Sequence, residues 1–249
     1  MNMHGFEIAN YILAIILTGI LLKYLWDRFS DRDNEPDEWK LAKKKGKLDS
    51  ALLKLERNYP DKVRFFNWWL QAERLRRENV PGAFAELGVY KGDSARILHC
   101  MDSEREFHLF DTFEGFTITD LKEETGDAAS YTQRNFSDTS VRKVRERVGD
   151  SEKIRIHPGH FPETAKDLAE MKFSLVNIDA DLYLPTKAGL EFFYPRLSPG
   201  GVILVHDHNS RWKGILRAIA EFSGSIPEST VIIPDKEGTA MIVRNKSID

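Results

Sequence analysis

The chain has 249 residues, 41% of them hydrophobic, with a formal net charge of −3 and a single cysteine. That length accommodates one substantial α/β domain and a short appendage, and leaves no room for a second full domain. The balanced charge argues against a dedicated nucleic-acid binder, while the lone Cys100 excludes an internal disulfide and fits a reducing compartment such as the cytosol, as a packing residue.

The first element is apolar. Residues 8–22 carry no charge, and the apolar character continues past Lys23 to Trp26, at the short end of spanning length. Lys23 has the reach to snorkel, and Tyr24 and Trp26 suit a headgroup boundary. Residues 1–7 contain no Lys or Arg, and no small-residue cleavage pattern follows, so the segment reads as a retained anchor rather than a cleaved leader. Positive charge lies downstream, at Lys23, Arg28, Arg32, Lys40, Lys43, Lys44, Lys45 and Lys47. That asymmetry predicts a single-pass membrane protein with its globular part on the cytoplasmic side. A buried or interfacial amphipathic helix is the alternative. The expected division is an anchor over 1–29 with its transmembrane helix at about 8–26, a polar linker over 30–38, and one domain over 39–249.

Helical patterns follow over Trp39 to Asn58 and Asp61 to Glu78, the second carrying the aromatic group Phe65, Phe66, Trp68 and Trp69. Beyond Pro81 and Gly82, short apolar runs alternate with helical patterns, the rhythm of a mostly parallel α/β sheet. Strands are expected at Ala83 to Leu87, Phe107 to Phe110, Ile154 to His157, Phe173 to Ile178 and Val202 to Val205. Helices are expected near Asp93 to Met101, Thr139 to Val148, Pro162 to Glu170, Pro185 to Tyr194 and Arg211 to Phe222. Thr230 to Ile233 and Thr239 to Val243 complete seven strands as an antiparallel edge pair. The stretch Thr117 to Asn135 reads as a long loop of the kind that forms lids.

In such a Rossmann-like sheet, ligands lie beyond the carboxyl ends of the strands. Chemistry-bearing residues gather there: Glu86 and Gly88 after the first strand, Asp111 after the second, Asp179 and Asp181 after the fourth, and His206, Asp207 and His208 after the fifth. The loop from Gly88 through Tyr90 to Gly92 and Ser94 lets the backbone approach a ligand, although it is not a GxGxxG motif. Asp111, about 20 residues further on, is placed to accept ribose hydroxyls. Asp179 and Asp207 end neighbouring strands, so their carboxylates converge on one site for a hard cation such as Mg²⁺.

Taken together, PGAFAELGVYKGDSARIL, LFDTFEGF, HPGHFPETAKDL, IDADLYLPTKAGLEFFYPRLSPGGVILVHDH and WKGILRAIAEF resemble, in this order, the macrocin O-methyltransferase (TylF-like) family of class I methyltransferases, over roughly Val80 to Phe222. The resemblance implies S-adenosylmethionine (SAM) as cofactor. It places Glu86, Gly88 and Gly92 around the methionine part, Ser94 as cap of the following helix and near the carboxylate, and Asp111 on the ribose. Thr112, Phe113, Gly159, His160 and Phe161 then fall near the adenosine end. The family has an acidic pair followed by Tyr where this chain has His206, Asp207 and His208. An imidazole in place of a carboxylate favours Mn²⁺, Zn²⁺ or Fe²⁺ over Mg²⁺, so a divalent metal of open identity is expected on Asp179, His206 and Asp207.

The expected reaction is methylation of a hydroxyl on a sugar, glycan or related small molecule. Asp179, Asp181 and His208 are the candidates for orienting the acceptor and taking its proton. A catechol-type methyltransferase acting on a diol, and a membrane-tethered SAM-binding protein without methyl transfer, are the alternatives. Acceptor identity and homo-oligomerisation are not encoded in any of these motifs.

Overall fold

The computed structural model describes residues 5–29 and 35–246. The chain divides into two compact units, Met1–Leu48 and Asp49–Asp249, so the expected boundary at residue 39 falls inside the first. Most of the expected linker, residues 30–34, lies outside the described residues.

In the first unit, α1 (Gly5–Phe29) is 25 residues long, or about 37 Å at 1.5 Å per residue. Its segment Glu7–Trp26 has a mean hydropathy of 1.9 and is wholly unburied, long and apolar enough to cross a membrane. Large side chains such as Ile15 and Trp26 are more than half exposed, at 72% and 62%. Next comes α2 (Asp37–Lys44), with acids in its first turn and lysines in its last, as the helix dipole favours. The single helix expected over Trp39 to Asn58 is in fact two. Gly46 takes φ +64°, ending the first, and Asp49 starts α3 (Ser50–Asn58) by accepting the Ala51 N–H at 2.5 Å.

The second unit is built on a seven-stranded sheet of order β3-β2-β1-β4-β5-β7-β6. Its strands are β1 (Ala83–Leu87), β2 (Phe107–Asp111), β3 (Ile154–Pro158), β4 (Phe173–Ile178), β5 (Leu197–Val205), β6 (Val231–Ile233) and β7 (Thr239–Val243). The first five are parallel, and β7 runs antiparallel to both β5 and β6, which confirms the expected edge pair. β1 and β4 are fully buried, which is why both are mostly apolar without a regular alternation. Strand order reverses between β1 and β4, and the crevice beyond their carboxyl ends is the place for a ligand.

The helix α4 (Lys62–Arg77) starts at Asp61, whose carboxylate accepts the Arg64 N–H at 3.0 Å. It buries Phe65, Phe66, Trp68, Trp69, Ala72 and Leu75, so the aromatic group is core packing. Between the strands lie α5 (Asp93–Met101), α6 (Ile118–Lys122), α7 (Val141–Val148), α8 (Tyr183–Phe193) and α9 (Lys213–Ser223).

Three expectations change. The long loop over 117–135 is folded, holding α6 and a 3₁₀ turn at Gly126–Ser130. The helix expected from Pro162 is a 3₁₀ turn, Glu163–Leu168. The fifth strand begins at Leu197, five residues before the apolar run that signalled it, because the Ser–Pro–Gly–Gly stretch carries no hydrophobic pattern.

Candidate active site

The chain leaves β1 through Gly88, and this glycine is obligatory. It takes φ +88°, and a Cβ there would sit 1.9 Å from the Asp179 carbonyl oxygen. The loop after β1 therefore lies directly on the end of β4. The Asp179 N–H donates to the Leu87 carbonyl at 2.8 Å and locks the two strand ends together.

From the end of β2, Asp111 reaches back to the same loop. Its Oδ2 accepts the N–H groups of Val89 and Tyr90 at 2.9 and 2.8 Å, and its Oδ1 accepts the Phe113 N–H at 2.7 Å. A carboxylate has about four acceptor positions, so most of this one's capacity goes into shaping the loop. Gly92, at φ +83°, is the N-cap of α5. Ser94 therefore does not cap the helix as expected; it lies in the first turn, where its hydroxyl helps to hold down the pKa of the Glu86 carboxyl.

Glu86 is fully buried. Asn177 Nδ2 donates to its Oε1 at 2.8 Å, and the Trp68 indole N–H donates to Asn177 Oδ1 at 3.3 Å. Burial pushes the Glu86 carboxyl up to about 8, against the pull of Ser94 and Asn177. It braces the loop from behind.

At the end of β3, the Gly159 N–H donates to the Asp111 carbonyl at 2.9 Å. The His160 ring follows, with Nδ1 3.0 Å from Glu163 Oε2 and Nε2 3.1 Å from Asp120 Oδ2. Burial depresses the His160 pKa, but the bond to Glu163 and the Asp120 carboxylate outweigh it, and the net shift is upward. Asp120 belongs to α6, so His160 ties this short helix over the sheet. Glu124, just beyond α6, secures the same segment by accepting the Tyr183 N–H at the start of α8, at 2.5 Å.

At the ends of β4 and β5, Asp179 Oδ1 lies 3.1 Å from His206 Nδ1, which is itself 3.2 Å from Asp207 Oδ1. The other Asp179 oxygen accepts from Arg64 Nη2 at 2.8 Å. Asp181 and Asp207 hold left-handed backbone at φ +60° and +63°, a strain that non-glycine residues accept only when the surroundings impose it. Burial by itself raises the Asp179 carboxyl, yet Arg64 and His206 hold it well below the usual range. Burial, with Asp179 and Asp207 adding to it, pushes Asp181 well above that range. His206 is depressed by burial, but the two carboxylates carry it up to about 10.

One donor atom each from Asp179, His206 and Asp207 lies within 4.8 Å of the others. A nitrogen and two carboxylate oxygens at that spacing fit a divalent cation of mixed N/O preference, which would take the place of the His206 proton. Arg64 then stands behind Asp179 as an orienting partner.

All these ends open on one cavity of about 460 Å³, within the usual range for small-molecule sites. Of the residues anticipated from the sequence, Gly88, Tyr90, Ser94, Asp111, Thr112, Gly159, His160, Phe161, Asp179, Asp181, His206 and Asp207 line it. Glu86, Gly92, Phe113 and His208 do not line it. The left-handed turn at Asp207 sends the chain away, and the His208 N–H donates to the Gly238 carbonyl at 2.9 Å.

Sequence reasoning missed Phe116, Asp120, Phe136, Arg211, Trp212 and Glu237 in the lining, and Arg64 behind it. Only Arg64 left a signal: it stands four residues before Trp68, on the face of α4 that is otherwise aromatic.

The family profile described as Macrocin-O-methyltransferase (TylF) matches residues 61–231. The chain is 28% identical over 176 residues to an 8-demethyl-8-(2,3-dimethoxy-alpha-L-rhamnosyl)-tetracenomycin-C 4'-O-methyltransferase of Streptomyces olivaceus, covering 61% of this chain and 67% of that one. It is 31% identical over 149 residues to a mycinamicin III 3''-O-methyltransferase of Micromonospora griseorubida, covering 55% of this chain and 59% of that relative. Among solved structures, the O-methyltransferase NovP superposes with a TM-score of 0.63 at 26% identity, over 74% of this chain and 81% of that one. The calicheamicin methyltransferase CalS11, at 22% identity and TM-score 0.58 over 86% of this chain and 95% of that one, shares the fold.

Proposed function

The chain belongs to the macrocin O-methyltransferase (TylF) family of SAM-dependent enzymes, and on that premise we propose that it methylates a hydroxyl of a sugar or glycosylated small molecule with the help of a divalent cation. The observation that carries this reading is the single cavity that joins the Asp111 end to the Asp179, His206 and Asp207 end.

Bound SAM supplies an activated methyl group, so the protein's own work is alignment and proton removal. The loop from Gly88 to Ser94 and the Asp111 carboxylate would hold the amino-acid and ribose parts, and Thr112, Gly159, His160 and Phe161, which line the same cavity, would flank the adenosine end. Asp179, His206 and Asp207 would hold the cation, which when bound would supply Lewis acidity to make an acceptor hydroxyl easier to deprotonate. Arg64 holds Asp179 in place, and the Asp181 and Asp207 carboxylates line the acceptor end, where the hydroxyl proton has to go. A C–O bond forms, the C–S bond breaks and one proton is released. The names of the matched relatives support a sugar acceptor.

We further read α1 as a single transmembrane span with the sheet unit in the cytoplasm, on the strength of its hydropathy of 1.9 and the positive charge that follows it.

Calorimetry with SAM, in the presence and absence of Mn²⁺ or Mg²⁺, tests the reading. Asp111→Ala is expected to abolish cofactor binding, and Asp179→Ala to spare it while removing the effect of metal. Loss of SAM binding in neither variant would place the cofactor elsewhere and end the proposal.

A further inference from the structure

Part of the cavity wall comes from two segments separated in sequence. The chain leaving β5 through Asp207 runs to Trp212 at the start of α9, and the turn between β6 and β7 folds against it. The His208 N–H donates to the Gly238 carbonyl at 2.9 Å. Gly238 has φ +78°, and a Cβ on it would meet the His208 carbonyl oxygen at 2.6 Å, so the contact is backbone on backbone.

Asn209 completes the clip. Its Nδ2 donates to the Glu237 carbonyl at 2.7 Å and to Glu237 Oε2 at 3.2 Å. The Arg211 guanidinium pairs with the same carboxylate. Glu237 is thus fixed by two donors before any ligand arrives, and Arg211, Trp212 and Glu237 all face the cavity that Asp181 and Asp207 line. The indole of Trp212 is backed by Tyr131, with ring centroids 5.6 Å apart, and Tyr131 stacks on Phe116 at 5.3 Å.

An indole next to a preorganised carboxylate–guanidinium pair matches the two faces of a pyranose. The ring presents an apolar C–H face to an aromatic surface, and its edge presents adjacent hydroxyls. A carboxylate accepts a pair of them, and a guanidinium donates to their oxygens. Charge decides which sugars fit. The basic side chains of the cavity lining are all engaged with carboxylates, Lys91 with Asp138, Arg211 with Glu237, His160 with Asp120 and Glu163, and His206 with Asp179 and Asp207. None is left to neutralise a phosphate or a uronic carboxylate, which would instead meet the carboxylates of this wall.

We propose that Trp212, Glu237 and Arg211 form the acceptor subsite, and that the acceptor group is an uncharged sugar ring stacked on the indole with vicinal hydroxyls read by Glu237 and Arg211. This rests on the methyltransferase reading of the same cavity. It places specificity at the exit of β5 and the edge hairpin.

The test uses the full chain in detergent micelles, saturated with S-adenosylhomocysteine. Binding of methyl α-L-rhamnopyranoside and methyl α-D-mannopyranoside is followed by saturation-transfer NMR, with methyl glucuronide and mannose 1-phosphate as charged counterparts. The neutral glycosides are expected to bind at least about tenfold more tightly than the charged ones. Trp212→Ala and Glu237→Gln are expected to weaken the neutral glycosides by about tenfold or more and to leave S-adenosylhomocysteine affinity within about twofold. Trp212→Phe, which keeps an aromatic face and guards against a folding defect in the alanine variant, is expected to lie between.

Wild-type protein that binds no neutral glycoside, variants that bind it as the wild type does, or a preference for the charged sugars overturns the subsite. So does a parallel loss of S-adenosylhomocysteine affinity, which would assign Trp212 to the cofactor. A glycoside that binds but is not methylated when SAM replaces its product sinks the methyl-transfer reading and leaves the subsite standing.

Discussion

Arg64 Nη2 donates to Asp179 Oδ2 at 2.8 Å across 115 positions of sequence, joining the first turn of α4 to the end of β4. The guanidinium side chain is only 8% exposed and also lies over the Trp68 ring, 4.6 Å from its centroid. Asp61, at the start of the same helix, anchors it on the other side by accepting the Lys236 N–H at 2.9 Å. The helix that packs the core thereby also aims the carboxylate proposed to do the chemistry.

Removing the cation should therefore hurt twice. Arg64→Met leaves the part-buried Asp179 carboxylate with His206 as its remaining partner, a loss of about 1–3 kcal/mol, readable as a lowered denaturation midpoint. Methyl-transfer kcat should fall at least about a hundredfold, with SAM affinity much less affected. Arg64→Lys, which keeps the charge but loses the planar fork, should recover part of the stability and less of the kcat. Full activity in the methionine variant would show that Asp179 needs no such aim.

Gly88→Ala and Gly92→Ala should differ sharply. The first drives a Cβ to 1.9 Å from the Asp179 carbonyl oxygen, whereas the second meets only the Val148 and Val144 side chains at 3.1 and 3.3 Å. Both sit at positive φ, at a cost of about 1–2 kcal/mol, but only Gly88→Ala must push the loop off β4. Calorimetry should find SAM binding lost there and merely weakened in Gly92→Ala.

Asp111→Asn keeps the shape but leaves one oxygen to serve the three backbone N–H groups that now converge on two. Cofactor affinity should drop about tenfold or more with little change in circular dichroism. An unaltered SAM affinity would mean that the ribose is held by another group.

Acid should weaken the sheet through β2. His108 is 2% exposed, with Nδ1 3.0 Å from His157 Nε2. Burial, then the charges of His157 and Arg155 on β3, lower its pKa from 6.5 to about 4. Glu106, 3.5 Å away, is the one opposing charge among the described neighbours. Since the unfolded chain takes up this proton first, the stability is fully present above pH 6.5 and is lost as pH falls towards 4, on the order of 3 kcal/mol in all. His108→Phe, among Phe110 and Phe173, should flatten the dependence of the melting midpoint on pH over that window. A wild-type slope in the variant would assign the effect to other groups.

The apolar helix should direct the chain to membranes and do nothing for the cavity. Full-length protein is expected in the carbonate-resistant membrane fraction. The chain lacking residues 1–29 should be soluble, with an unchanged SAM affinity. Soluble full-length protein would remove the spanning reading.

Much of the architecture was legible before any coordinates. Periodicity marked α4, α5, β1, β4 and β7 to within a residue or so, because each is long or apolar enough for burial and pattern to coincide. It failed where backbone conformation rather than side-chain pattern rules: at Gly46, which splits one helix into two, and over 117–135, where Thr117 caps α6 and Glu124 ties the segment to the start of α8. The strand-end acids were visible because a parallel sheet puts the ends of its strands at one edge.

By itself, then, the order of residues determined the alternation of strands and helices, the apolar first helix and the gathering of Asp111, Asp179 and Asp207 at one edge, since these follow from local pattern and the direction of parallel strands. Only the tertiary structure decided that Glu86 and His208 stay out of the cavity, that Arg64 enters from behind, and that Trp212 and Glu237 share a wall. Those outcomes depend on side-chain direction after left-handed turns and on contacts between segments far apart in the chain, which no local pattern encodes.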